Sequence, residues 1–130
     1  MSNKLKLLFV CTINKMRSAT AQVMYEEDVR FEVKSAGTDK NARVVIDRDL
    51  LAWADTVVVM EKHHRNTIRS RFPDIYSSKK IVCLYIPDIY DYMEEELIHT
   101  LKEKFEDVYR RGLLTGSTDE STEKEYLPPG

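Results

Sequence analysis

This sequence predicts a small α/β domain whose parallel sheet is covered by helices on both faces, and three observations predict it. Short apolar runs, "LKLLFV" (5–10), "DTVVVM" (55–60) and "KIVCLYI" (80–86), read as strands buried on both sides. Helical patterns alternate with these runs, which favours parallel pairing through helical crossovers. The chain of 130 residues suits a single domain. Right-handed crossovers then give a small doubly wound fold, for which a four-stranded sheet of order 2-1-3-4 is expected.

The elements follow in order. Strand 5–10 leads into a helix over 18–28, with Ala19, Ala21, Val23 and Met24 on it. "RFEVKSAGT" alternates apolar and polar residues and stops at Gly37, giving a strand at 31–34 and a turn. Asp47 is a good N-cap for the short helix in "DRDLLAWA", where Trp53 is assigned to the core. After strand 55–60, "EKHHRNTIRSRF" (61–72) forms a helix that Pro73 ends. The fourth strand spans 80–86 and contains Cys83, read as a buried, inert thiol. "PDIYDY" is a loop. Leu97, Leu101, Phe105 and Val108 then mark the inner face of a helix over 93–112, acidic at its start and basic at its end, with Gly112 as the stop. The domain is assigned to 1–112. Residues 113–130, rich in Ser, Thr, Glu and Pro towards the end, read as a disordered tail.

Composition excludes several classes. The chain is 42% apolar and 32% charged, which supports one modest core. A formal net charge of −2 does not point to nucleic acid or to a membrane surface. No apolar run is long enough to span a bilayer, and the short run after "MSNK" is not a signal peptide. A cytoplasmic protein is expected. Its two cysteines fit a reducing compartment, and neither has neighbours at metal-ligand spacing, so no metal site is expected.

The stretch "LLFVCTINKMRSATAQVM" (7–24) carries the chemistry. Cys11 stands at the carboxyl end of a buried strand, where open parallel sheets bind ligands. Arg17 and Ser18 open the next helix, whose free N–H groups attract anions. The loop between can add further inward amides as a nest. A helix terminus and a cation favour the thiolate, the nucleophilic form. Arg17 offers a planar fork for two phosphate oxygens. The Ser18 hydroxyl can donate to the sulfur. A lone cysteine at a strand end is ordinarily just a small apolar residue; it is the strand–loop–helix setting and the following Arg-Ser that favour phosphoryl capture. The loop from Cys11 to Arg17 has no glycine, so Asn14 is the residue best placed to take a positive φ, and Ile13 would be strained there.

These residues resemble the opening of the low-molecular-weight protein tyrosine phosphatases, and the short bacterial and phage branch of predicted tyrosine phosphatases most of all. The resemblance continues in "SAGT" (35–38), "ADTVVVMEKHHRNTI" (54–68) and "IPDIYDY" (86–92), and covers residues 4 to about 108 in order. It implies a phosphomonoesterase without cofactor or metal, acting on a phosphorylated protein or a small aryl phosphate. Cys11 would be the nucleophile. Thr12, Ile13, Asn14, Lys15, Met16, Arg17 and Ser18 would bind the phosphate, with Arg17 and the amides holding its oxygens and Asn14 holding the loop. Asp88 matches the family's general acid, with Tyr90 two residues on; Ile89 stands where larger relatives have Pro, and Asp91 is the alternative acid. Ile13 replaces a loop glycine, and Lys15 and Met16 shape the rim. The segment from Gly37 to Asp47 is shorter than in larger relatives, which implies a more open site. Tyr90 and Tyr92 either wall that site or pack against the last helix.

Two other readings stand beside this one. An arsenate reductase or thiol redox enzyme of the same fold would need further cysteines to relay a disulfide, and mid-strand Cys83 fits that poorly. A phosphate-binding module with weak chemistry is the third. The helix at 61–72 reads as a solvated basic face. Adjacent His63 and His64 point about 100° apart on it and are not expected to chelate together. His99 reads as a surface residue.

Overall fold

β1 (Leu5–Cys11) is the strand around which everything else is arranged, because both of its faces are covered. The computed structural model describes residues 4–115. After β1 come α1 (Arg17–Tyr25), β2 (Phe31–Gly37), α2 (Arg48–Trp53), β3 (Thr56–Val59), α3 (Lys62–Arg71), α4 (Pro73–Tyr76), β4 (Lys80–Cys83) and α5 (Glu95–Arg110). The four strands form one parallel sheet of order β2-β1-β3-β4, as expected.

Alternation along β1 divides the core in two. Leu7, Phe9 and Cys11 face a layer made with Ala21 and Tyr25 of α1 and Leu97, Leu101, Phe105 and Val108 of α5. Leu8 and Val10 face the other side, with Leu51 of α2 and Ile68 of α3. Phe105 is the hub of the first layer. Its ring lies 4.5 Å from Tyr25, 5.4 Å from Phe31 and 5.7 Å from Phe9, in the tilted and edge-on geometries that aromatic quadrupoles favour.

Boundaries differ from expectation for local reasons. β2 runs on to Gly37 because its register with β1 continues to the pair Cys11 and Gly37. β4 stops at Cys83 because Tyr85 takes a positive φ of 58° and breaks the regular ladder. Leu84 and Ile86 still donate their amides to Val59 and Met60, so the chain stays beside β3 as it leaves the sheet. Pro73 does end α3, but it also opens α4 at the first-turn position where its missing N–H is harmless. Asp47 caps α2 through Leu50 N–H at 2.8 Å. Gly112, with a φ of 71°, follows the end of α5.

Cys83 is fully buried and His99 lies exposed beside Glu103. Trp53 is a correction. At the last turn of a six-residue helix it is only half-buried, packed on the rim of the second layer with the Lys34 ammonium 4.6 Å from its ring centre. Leu113 and Leu114 pack on the first layer, and Thr56 Oγ1 donates to Leu114 C=O at 2.5 Å. The remainder of the expected tail, 116–130, lies outside the described residues. No helix among the described residues is long and apolar enough to cross a membrane.

Truncation of Phe105 to Ala removes the hub of three ring contacts at a fully buried position. It is expected to lower unfolding free energy by about 3–5 kcal/mol, read by urea denaturation of the two proteins.

Candidate active site

The turn from β1 into α1 uses its carbonyls on one side only. Thr38 N–H donates to Cys11 C=O, Asp39 N–H to Thr12 C=O and Arg43 N–H to Ile13 C=O, at 2.9–3.0 Å. Arg43 Nε donates to Asn14 C=O at 3.0 Å, and Thr20 N–H takes Met16 C=O. The amides of Thr12 through Met16 donate to no acceptor among the described residues. α1 begins at Arg17 without a side-chain cap, so its first amides add to that set. A curl of this kind requires a left-handed residue. Asn14 supplies it with a φ of 63°, and Ile13 is not among the positive-φ residues, so the strain expected at Ile13 does not arise. The loop lies hard against β2: a Cβ on Gly37 would fall 2.4 Å from Thr12 C=O and 2.6 Å from Ala42 Cβ.

The sulfur of Cys11 is 2.9 Å from Ser18 Oγ. Asn14 Nδ2 donates to the same hydroxyl at 2.7 Å. That bond occupies a lone pair of Ser18 Oγ and leaves its proton for Sγ or for Ala36 C=O, which is farther at 3.4 Å. The nearer acceptor is the sulfur. Asn14, completely buried, therefore serves twice, through its backbone angle and through its amide.

Arg17 is almost wholly buried, with only 2% of its surface exposed. Its Nη1 donates to Glu61 Oε2 and to Ile86 C=O, both at 2.7 Å. Its Nε is buried with no partner among the described residues. Its Nη2 lies 3.9 Å from Asp88 Oδ1. One edge of the fork is thus anchored and donors remain for an oxyanion. Burial works to raise the Glu61 carboxyl, but the hydrogen bonds from Arg17 and then His63 outweigh it and hold it below the usual range.

Glu61 sits just before α3, and three residues later comes His64, a feature the sequence reading missed. Glu61 N–H donates to His64 Nδ1 at 3.0 Å, so the proton of the neutral ring is on Nε2, which donates to Thr12 Oγ1 at 2.8 Å. His64 is fully buried, not part of a solvated basic face. Burial, then the charges of His63 and Arg17, push its pKa down to about 3. The α3 start thereby holds both ends of the loop: Thr12 through His64 and Arg17 through Glu61. Two signals in the sequence point to it. Position 61 follows the carboxyl end of β3, where parallel sheets gather ligands, and a polar side chain three residues after an N-cap turns back to cap it.

His63 and His64 also correct the expected 100° divergence. In the first turn of α3 both lean back towards Glu61, and their rings are 4.1 Å apart. With Glu61 they place three ligand atoms within 4.8 Å. Both nitrogens of His64 are already committed, and the Arg17 guanidinium occupies Glu61 at 2.7 Å, so a cation there would meet a fixed positive charge. The trio braces Thr12 and Arg17 rather than offering a metal site.

The resulting cleft encloses about 160 Å³ between Cys11, Ile13, Lys15, Met16, Arg17 and Asp88. Lys15 and Met16 are exposed on its rim. Asp88, 67% exposed, faces the cleft, whereas Asp91 does not line it; Asp91 instead donates its amide to Glu94 Oε1. Tyr90 packs against the core layer of α5. Tyr92 lines a second hollow beside the cleft.

No family model and no curated protein matches this sequence. Solved structures do. The YwlE arginine phosphatase from Geobacillus stearothermophilus superposes with a TM-score of 0.59 at 23% identity, covering 84% of this chain and 96% of that one. The tyrosine phosphatase Wzb from Escherichia coli K30, in complex with phosphate, gives 0.61 at 18%, covering 83% and 95%. The Erwinia amylovora tyrosine phosphatase AmsI gives 0.66 at 17%, covering 85% and 93%. The chain has the fold of the low-molecular-weight phosphatases over nearly their whole length.

Two outcomes follow from the loop's supports. His64 binds its proton only when unfolded between its ordinary value of 6.5 and about 3, so its contribution is complete above pH 6.5 and is lost as pH falls. Urea unfolding should show wild type losing about 2 kcal/mol more than His64→Gln between pH 7 and 5, above the carboxylate range. Gly37→Ala is expected to push Thr12 off β2 and cut phosphate affinity at least tenfold by calorimetry, with the far-UV spectrum unchanged.

Proposed function

We propose that this chain is a phosphomonoester hydrolase of the protein tyrosine phosphatase kind, working through a cysteinyl-phosphate intermediate. The observation that carries the reading is a loop with five unused amides beside a buried guanidinium, one of whose donors has no partner, closing around a strand-end sulfur. Such a donor set is suited to three equatorial oxygens of a phosphoryl group in transfer. The arginine and tyrosine phosphatases with this fold support it.

Cys11 attacks phosphorus, forming the S–P bond as the P–O bond to the leaving group breaks. Ser18 donates to the sulfur and stabilises it as nucleophile and, in the second step, as leaving group. Arg17 and the amides of Thr12 to Met16 hold the oxygens, with Ile13, Lys15 and Met16 as walls. Asp88 gives its proton to the departing oxygen. Its carboxylate then takes a proton from water, which attacks phosphorus, and the S–P bond breaks to release phosphate and the thiolate. The substrate is a phosphorylated protein or small aryl phosphate, and a reducing compartment, the cytoplasm, keeps the sulfur competent. No thiol other than Cys83 is available for a disulfide relay, and Cys83 is buried in β4, which disfavours the reductase reading.

Cys11→Ser is expected to abolish p-nitrophenyl phosphate hydrolysis while phosphate or vanadate still binds. Retained turnover would refute the mechanism, and thioredoxin-dependent arsenate reduction by the wild type would favour the reductase. Asp88→Asn should slow alkyl phosphates 10²–10⁴-fold but p-nitrophenyl phosphate much less, and remove the alkaline limb of a bell-shaped rate profile. The same pattern for Asp91→Asn alone would move the acid to that residue.

A further inference from the structure

Beside the nucleophile's cleft lies a second, larger hollow of about 380 Å³ lined by Lys15, Ala19, Gln22, Val23, Arg43 and Tyr92. Lys15 lines both, so the two hollows adjoin at that side chain. The hollow carries two positive charges that no described acid neutralises: neither Lys15 nor Arg43 has a carboxylate within ion-pair distance. Arg43 is also fixed in place. Its Nε donates to Asn14 C=O, its backbone amide to Ile13 C=O, and its Nη2 to Ser35 Oγ at 3.5 Å. Ser35 in turn donates to Gln22 Oε1 at 2.5 Å, which leaves the Gln22 amide hydrogens as a further donor group at the hollow. Half-exposed Tyr92 and Val23 supply the apolar part of the lining.

We infer that this hollow is a subsite for a second anionic group on the substrate, and that the preferred substrate is an aryl-phosphorylated peptide with an acidic residue next to the phosphorylated one. The inference rests on the phosphatase reading and names the substrate of the same site. Lys15 lines both the cleft and the hollow, so a carboxylate carried beside the phosphorylated group is within reach of Lys15, Arg43 and the Gln22 amide. The mixed lining fits a peptide side chain and backbone. An extended polyanion such as a nucleic-acid strand is disfavoured, because exposed Glu26 and Glu27 follow within a turn of Val23 and Glu95 and Glu96 open α5 shortly after Tyr92. Each exposed cation at contact distance offers a gain of about fivefold in water, less in salt.

The test compares kcat/KM for two phosphotyrosyl peptides, one flanked by Ala and one by Asp, with p-nitrophenyl phosphate as the reference. In low salt the Asp peptide is expected to be preferred about tenfold, mainly through KM, and 0.5 M salt should erode the preference. Lys15→Met and Arg43→Gln should each reduce the ratio of Asp peptide to Ala peptide by about fivefold, whatever they do to the reference rate. A wild-type ratio of one, or a ratio unmoved in Lys15→Met, overturns the subsite. Faster dephosphorylation of a 5′-phosphorylated oligonucleotide than of the Asp peptide overturns the assignment to peptides. If no substrate turns over, the phosphatase reading fails on its own. The two peptides' affinities for the Cys11→Ser chain then read the subsite separately, and equal affinities overturn it.

Discussion

A guanidinium almost completely removed from water is the constraint on which the site depends. Arg17 cannot shed its charge, so its environment must answer it. Glu61 and the Ile86 carbonyl answer it from two different strand ends, β3 and the irregular continuation of β4. Removing Glu61 would strand a buried guanidinium, so the contact acts less as glue than as a registration mark. It ties the start of α1 to the carboxyl edge of the sheet, and it does so with one edge of the fork only. Its Nε has no partner among the described residues, and the side chain lines the cleft.

The loop solves a second problem, which is how to gather amides without glycine. Five N–H groups are left without an acceptor among the described residues, while the 38–43 segment with Arg43 takes the carbonyls of Cys11 to Asn14. One left-handed residue suffices for the curl, and an asparagine tolerates that conformation better than other side chains. Because Asn14 also fixes the Ser18 hydroxyl, backbone geometry and sulfur solvation are coupled in one residue. The neutral His64 holds Thr12 from below without adding a charge that would compete with Arg17.

Much of this was legible in the residues. Apolar runs bounded by helical patterns specify a parallel sheet, and handed crossovers make it doubly wound. Cys11, Arg17 and Ser18 lie close in sequence, so their meeting needs only a strand, a loop and a helix. What was hidden is what tertiary contact decides. Its position three residues after Glu61 marks His64 as a cap, but its complete burial and its bond to Thr12 are decided by the loop that packs on it. Trp53 looked like core by type, yet a six-residue helix ends before it can be carried inside. Tyr85 broke β4 early although its neighbours are all apolar, because a positive φ is set by how the chain leaves the sheet and not by hydropathy. The placement of Asp88 over Asp91 at the cleft likewise depends on the path of an irregular loop.

The hydrogen bond from Thr56 to the Leu114 carbonyl has a bearing on how this chain can be cut. Leu114 lies against the bottom of the sheet, at the end opposite Cys11, and covers apolar surface that α5 leaves bare. A shortened version ending at Gly112, the point where helical order stops, would discard that cover and strip a buried hydroxyl of its acceptor. The smallest self-sufficient piece therefore extends at least two residues past the glycine, and fusion partners or tags belong beyond Leu114.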